Sequence, residues 1–127
     1  DILLIGRSKR DLTIAVKRIR DYLHDELRLE IHPTWNMKHV GAEPIDMVGF
    51  TFWPDHTGVR AGIFLRARRS FRRYARNPSS LRLAYRCASY YGWLKNSDSI
   101  QYRRRNNVDQ IVRRARKTIV ASRKDNR

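Results

Sequence analysis

A single cysteine, Cys87, stands among the 127 residues, so the chain has no internal disulfide framework and no thiolate set for a structural metal. A reducing, cytoplasmic setting is the resulting expectation. Histidines occur only at 24, 32, 39 and 56, with no H-x-x-x-H or comparable spacing, so they offer no recognisable metal motif. No apolar run approaches the roughly 20 residues of a membrane span. Acid is scarce in the second half, where residues 60–127 hold three Asp and Glu against twenty Lys and Arg. Cys87, lying within a helical pattern without a histidine partner, reads as a core residue rather than a nucleophile.

What is present is positive charge, unevenly placed. Residues 1–59 hold eight Lys and Arg against nine Asp and Glu, so the whole excess behind the net charge of +16 lies after residue 59. Such an imbalance favours an anionic polymer as partner. Arginine dominates it, and a planar guanidinium grips phosphate in two-pronged fashion where lysine offers a point charge. A merely solvated basic tail would lack the apolar residues that recur between these cations at helical spacing.

The hydrophobic pattern predicts an α+β chain. Ile2-Leu3-Leu4-Ile5 reads as a buried strand behind Asp1, and Gly6 with Ser8 turns the chain into a helix over about 9–26. Ser8 and Asp11 form its capping box, and Leu12, Ala15, Val16, Ile19, Tyr22 and Leu23 form its apolar face. Alternation in "LRLEIHP" (27–33) and the segment "WNMKHV" (35–40) suggest two short strands. "IDMVGFTFWP" (45–54) suggests a third, followed by turn residues at 55–58 and by "VRAGIFL". From Arg66 the period becomes helical. Phe71, Tyr74 and Ala75 share one side up to Asn77-Pro78; Leu81, Ala84, Ala88 and Tyr91 line a second helix capped by Ser79 or Ser80. "YGWLKNSDS" reads as a break. A last helix over about 107–122 turns Val108, Ile111, Val112, Ala115 and Ile119 to one side and Arg113, Arg114, Arg116 and Lys117 to another. Small sheet first, basic three-helix bundle second, is the predicted order.

Two-metal phosphoryl transfer needs at least two carboxylates converging on its ions. Asp1 is the only acid on the first predicted strand, Asp11 is accounted for as a helix-terminal charge, and Asp46 precedes an apolar strand where it can satisfy backbone groups. These residues by themselves complete no metal site.

Four stretches carry a family resemblance. "DILLIGRSKRDL" resembles the strand and turn just after the first Asp in the Asp-Asp hairpin of reverse transcriptases, and "LRLEIHPTWNMKHV" the next helix-to-strand segment. "IDMVGFTFWP" is similar to the I-D-F-V-G-Y-x-F opening of their primer-grip hairpin. "RCASYYGWLKNSDS" resembles the thumb segment S-Y-x-G-W-x-K-H-x-D. The last two are most like the bacterial enzymes of diversity-generating retroelements, with group II intron and retron enzymes as relatives. The match spans residues 1 to about 105 and departs from the family at Met47, Asn96 and "VRAGIF".

The resemblance implies that residues 1–64 are the C-terminal part of a polymerase palm with its primer-grip hairpin, and 65–127 an α-helical thumb. It implies an RNA-directed DNA polymerase acting on an RNA template, a DNA primer and deoxynucleoside triphosphates with two Mg²⁺ ions, alongside a retroelement accessory protein. Asp1 would then be the second, metal-binding Asp of the catalytic pair, with its partner strand and the fingers encoded upstream, and these 127 residues alone would not extend a primer. Phe52, Trp53 and Gly58 would fall on the primer grip. Arg60, Arg66, Arg68, Arg69, Arg72, Arg73, Arg76, Arg82, Arg86 and Lys95 would line the nucleic acid. The alternative is a basic RNA-binding, maturase-like module without chemistry of its own.

Overall fold

In the computed structural model, which describes residues 2–125, Ser8 opens α1 (Lys9–Leu27) as its spacing to Asp11 predicts. The Ser8 hydroxyl oxygen accepts a hydrogen bond from the Asp11 N–H at 3.2 Å. The helix ends where Arg28 adopts a left-handed conformation (φ 53°) and the Leu29 N–H closes back on the Leu23 carbonyl at 2.9 Å. Leu27 is therefore the last helical residue, and the alternation read as a strand over 27–33 forms none. Segments 2–5 and 35–40 are not strands either, and Ile2 and Ile5 stay 69% and 78% exposed. A strand is stabilised only by the ladder it shares with a neighbour; among the described residues 2–5 and 27–33 find none, and 35–40 makes only the isolated bridge of Val40 with Glu43.

The chain divides into two compact units, residues 1–38 and 39–127. Residues 64 and 65 lie in the first turns of a helix, and the small sheet packs with the helices that come after it. That sheet is β1 (Ile45–Met47), β2 (Phe50–Phe52) and β3 (Thr57–Val59), antiparallel in the order β1-β2-β3. The stretch read as one strand over 45–54 is a hairpin. Met47 pairs with Phe50, leaving Val48 and Gly49 as a two-residue turn with φ of 42° and 84°. Two successive positive φ values match the right-handed twist of the flanking strands. Register then sets Thr51 opposite Gly58 and Phe50 opposite Val59.

"VRAGIFL" is not a strand beyond Val59: Arg60 caps α2 (Ala61–Arg76), five residues earlier than the arginine-rich period suggested. Ser80 caps α3 (Leu81–Lys95), its hydroxyl oxygen accepting from the Leu83 N–H. The predicted break shrinks, since Tyr91 to Lys95 continue α3, and the short α4 (Ile100–Arg105) precedes α5 (Val108–Asp125).

Helices α2, α3 and α5 share one core of Ala67, Phe71, Tyr74, Ala84, Cys87, Leu94, Val108, Val112, Ala115 and Ile119. Phe71, Leu94 and Val112 each contribute about 1.5–3 kcal/mol on full burial, which is what orients the three apolar stripes inward. Two expected core positions are corrected: Ala75 and Leu81 lie at the surface. Ser70 takes the place of Ala75 beside Phe71, its hydroxyl donating to the Arg66 carbonyl at 2.9 Å. The Tyr74 hydroxyl, carried into the core by its ring, meets Thr118 Oγ1 at 2.8 Å, so the buried phenol is not left unpaired.

Candidate nucleic-acid interface

The hairpin sits on the bundle through one glycine. A Cβ added at Gly49 would run into the Trp93 ring of α3 and come within 2.8 Å of Ile63 Cδ1, so only a residue without a side chain lets Trp93 close on the turn. Phe50 is next, its ring 4.9 Å from that of Trp93 between centroids. The other end of the sheet is tied by the loop after α3: the Asp98 carboxylate accepts from the Thr57 N–H at 2.7 Å, and the Thr57 carbonyl accepts from the Asp98 N–H at 2.8 Å. The turn at Gly49 and Phe50 thus brings together the two stretches most specific to the resemblance, 45–54 and 86–99, while the Asp98 tie falls on Thr57, just beyond the first of them.

Of the hairpin residues expected at a primer grip, Phe52 and Trp53 are 39% and 41% exposed at the end of β2. Trp53 stacks on His56 with centroids 5.7 Å apart and planes at 11°. The Trp53 N–H donates to the His56 carbonyl at 2.9 Å, which closes the loop. Asp55 hydrogen-bonds His56 at 2.8 Å, and that contact holds the Asp55 carboxyl below the usual carboxylate range. Gly58 is inside the ladder with Thr51, where its Cβ position would be 3.7 Å from the Thr51 carbonyl oxygen. Nothing about its backbone demands glycine.

The cations divide into groups. Arg66, Arg69, Arg73 and Arg76 recur at steps of three and four along the outward face of α2 and are all exposed. Arg68 and Arg72 lie on its other flank toward Tyr102 of α4. Burial pushes the Tyr102 phenol up, and the charges of these two arginines oppose that rise. Arg60 stands at the N-cap of α2 without a capping side-chain bond, Arg82 and Lys95 are exposed on α3, and Arg86 is half-buried. Asp1, expected to be both the catalytic and the metal-binding residue, lies outside the described residues.

Among the described residues no group of three His, Cys, Asp or Glu converges. Asp46 instead accepts a hydrogen bond from Thr51 Oγ1 across the hairpin at 2.7 Å. A shallow hollow of ≈ 400 Å³ lined by His24, Asp25, Arg28 and Glu30 contains none of the expected site residues. A polymer's phosphates are held from an open, charged surface rather than a cavity, and the outward face of α2 is one.

One cluster escapes periodicity altogether. The Tyr91 hydroxyl donates to Asp109 Oδ1 at 2.7 Å, and Arg103 Nη1 reaches that oxygen at 3.1 Å. The guanidinium carbons of Arg103 and Arg116 lie 5.8 and 5.6 Å from the centre of the Tyr91 ring. The Tyr91 hydrogen bond, aided by Arg103, holds the Asp109 carboxyl below its ordinary value against an opposing effect of burial. Asp109 is visible in the sequence as a first-turn acid, but its partners Tyr91 and Arg103 come from two other helices. Cys87 is fully buried, and burial pushes its thiol up to about 11, as suits a core residue.

No helix among the described residues is long and apolar enough to cross a membrane. No protein-family model, no curated protein and no solved structure matches this chain.

Proposed function

We propose that the chain is the palm-end and thumb portion of an RNA-directed DNA polymerase, and that it holds the primer–template duplex. The observation that carries this reading is the seating of the 45–59 hairpin on Trp93 and Asp98, which joins the two most specific stretches of the reverse-transcriptase resemblance. A polymerase copies every sequence, so it must grip phosphates and sugars without reading base edges. The exposed arginines of α2 are suited to the first task and carry no asparagine or glutamine pattern for the second. Phe52 and Trp53 present aromatic surface beside the bundle for the primer end. In the intact polymerase Asp1 would supply one carboxylate to two Mg²⁺ ions, which would stabilise the attacking and leaving oxygens of nucleotidyl transfer from deoxynucleoside triphosphates. The alternative, an RNA-binding module without chemistry, shares the arginine face but has no use for the Asp1 segment.

Fluorescence anisotropy with RNA–DNA hybrids of scrambled sequence tests the grip. Affinity should be alike for all sequences and fall by about 10³ to 10⁵ between 50 and 200 mM salt if six to ten phosphates are contacted. R69A/R73A should weaken every hybrid equally and make the logarithmic salt slope shallower by about 2, one for each arginine removed. A flat salt response, or a sequence preference that changes with these substitutions, refutes the reading. Asp1→Asn in the intact polymerase should abolish primer extension while leaving hybrid affinity in place.

A further inference from the structure

The turn after α3 is built more tightly than the helices beside it require. Ser97 and Ser99 both send their hydroxyls back to the Leu94 carbonyl, at 3.1 and 2.6 Å. Ser99 stands at the N-cap of α4 and, engaged with Leu94, makes no capping bond of its own. Between these two serines Asp98 meets the sheet. In the order β1-β2-β3, β3 is an edge strand. The Trp53 N–H donates to the His56 carbonyl and the Arg60 N–H to the Gly49 carbonyl, both at 2.9 Å, so the alternation of an antiparallel ladder turns the N–H and C=O of Thr57 away from β2. Asp98 takes both. Its carboxylate accepts from the Thr57 N–H at 2.7 Å, and its own N–H donates to the Thr57 carbonyl at 2.8 Å. Water satisfies the outward groups of an ordinary edge strand, and Asp98 is exposed, so the fold does not need this clasp to hide polar groups.

What the clasp sets is position. Thr57 is the cross-strand partner of Phe52, and Trp53 follows Phe52 directly into the loop it closes with His56. The turn at Gly49 is fixed on Trp93, so both ends of the hairpin are referred to one short stretch of chain, 93–98. We infer that Asp98 is a positioning residue for the primer end: through Thr57 it holds Phe52 and Trp53 at a fixed offset from α3, so that a duplex held on the bundle brings its primer terminus onto them. A loose edge would let the 53–56 loop drift while leaving the phosphate grip intact, and a misplacement of about 1 Å at a reacting end costs about 10²-fold in rate. A carboxylate suits this task better than a hydroxyl or an amide, because a charged acceptor makes the shorter and stronger bond to an N–H. The role rests on the proposed duplex grip for its ligand, whereas the clasp itself belongs to the fold.

The test reads grip and seating separately on the full chain. An RNA–DNA hybrid with a recessed primer end carries 2-aminopurine as its terminal base, whose fluorescence is quenched on stacking, while the anisotropy of a dye at the far end gives affinity. The unaltered chain should bind the hybrid and quench the terminal base, and Trp53→Ala should bind it without quenching. Asp98→Ala should keep hybrid affinity within about twofold and lose about tenfold in the ratio of seated to unseated ends, as expected for one charge-assisted hydrogen bond. Asp98→Asn keeps an oxygen for the Thr57 N–H and should recover most of that ratio. Amide exchange gives a readout free of nucleic acid: Asp98→Ala should speed exchange at Thr57 about tenfold and leave Phe71 and Val112 unchanged. Full quenching by Asp98→Ala, no recovery with Asp98→Asn, or equal losses of affinity and seating with faster exchange in the core would overturn the positioning role while the duplex grip stands. An unaltered chain that binds no hybrid refutes the duplex grip and the primer-end role together, whatever Thr57 exchange shows.

Discussion

Replacing Gly49 with alanine tests the contact on which the placement of the hairpin depends. The backbone there has φ of 84°, a region that costs an L-residue about 1–2 kcal/mol. The new methyl would also collide with the Trp93 ring and sit 2.8 Å from Ile63 Cδ1, an overpacking worth about 1–3 kcal/mol in a buried setting. Together the loss is about 2–5 kcal/mol, a large part of the about 5–15 kcal/mol that holds an ordinary domain. With a urea slope of about 1–3 kcal/mol/M, the unfolding midpoint should fall by about 0.7–5 M. The control is Gly58→Ala, where the nearest atom is 3.7 Å away and the backbone is ordinary. It should cost less than about 1 kcal/mol, as most surface changes do. In a double-mutant cycle, Trp93→Ala should recover the steric part of the Gly49→Ala loss but not the backbone part, so the two changes should couple by about 1–3 kcal/mol. Equal midpoints for Gly49→Ala and Gly58→Ala, or strict additivity with Trp93→Ala, would refute the seating of the hairpin on α3.

The same turn predicts a gain: Val48 is a β-branched residue at φ 42°, so Val48→Asn should raise stability by about 1 kcal/mol in urea melts. A loss would show that the turn is not of this kind. Asp109 has a lowered pKa through Tyr91 and Arg103, so its contribution is full above the ordinary carboxylate range and fades as pH falls through the depressed value. Asp109→Asn should therefore cost about 1 kcal/mol at pH 7, discounted because the side chain is 41% exposed, and should flatten the pH dependence of stability below about pH 4. An unchanged acid limb would show that the Tyr91 cluster does not stabilise the fold through Asp109. Cys87, with its thiol pushed up to about 11, should react with a disulfide reagent at pH 8 about 10² more slowly in the folded chain than in the denatured one. Equal rates would place the thiol at the surface.

Much of the helical part was open to reading because a helix is a local object. Ser8 before Asp11 and the stripe from Val108 to Ile119 each declare themselves within a few residues and are found in place, and of the two candidate caps Ser79 and Ser80 the structure takes Ser80. The start of α2 is hidden in the sequence because "VRAGIF" has no polar face to reveal its period, and Ala75 lies outside the core while Ser70, with a hydrogen-bonded hydroxyl, lies inside the same stripe. Apolar runs at 2–5 and alternation at 27–31 match a strand as sequence, yet strands need partners that local pattern does not name.

By itself the sequence determined the α+β class, the concentration of positive charge after residue 59, the three inward stripes of the bundle, and the arginines left outside it. These arise from helical periodicity and from the cost of burying charge. Tertiary structure alone decided that Val48 and Gly49 are a turn rather than mid-strand, and that Trp93 closes on Gly49. It alone decided that Asp98 ties down β3 from 41 residues away, and that Tyr91, Arg103, Asp109 and Arg116 assemble from three helices. The Trp93 and Asp98 contacts join residues about 40 positions apart, where chain entropy opposes the meeting and only the packed core makes it favourable.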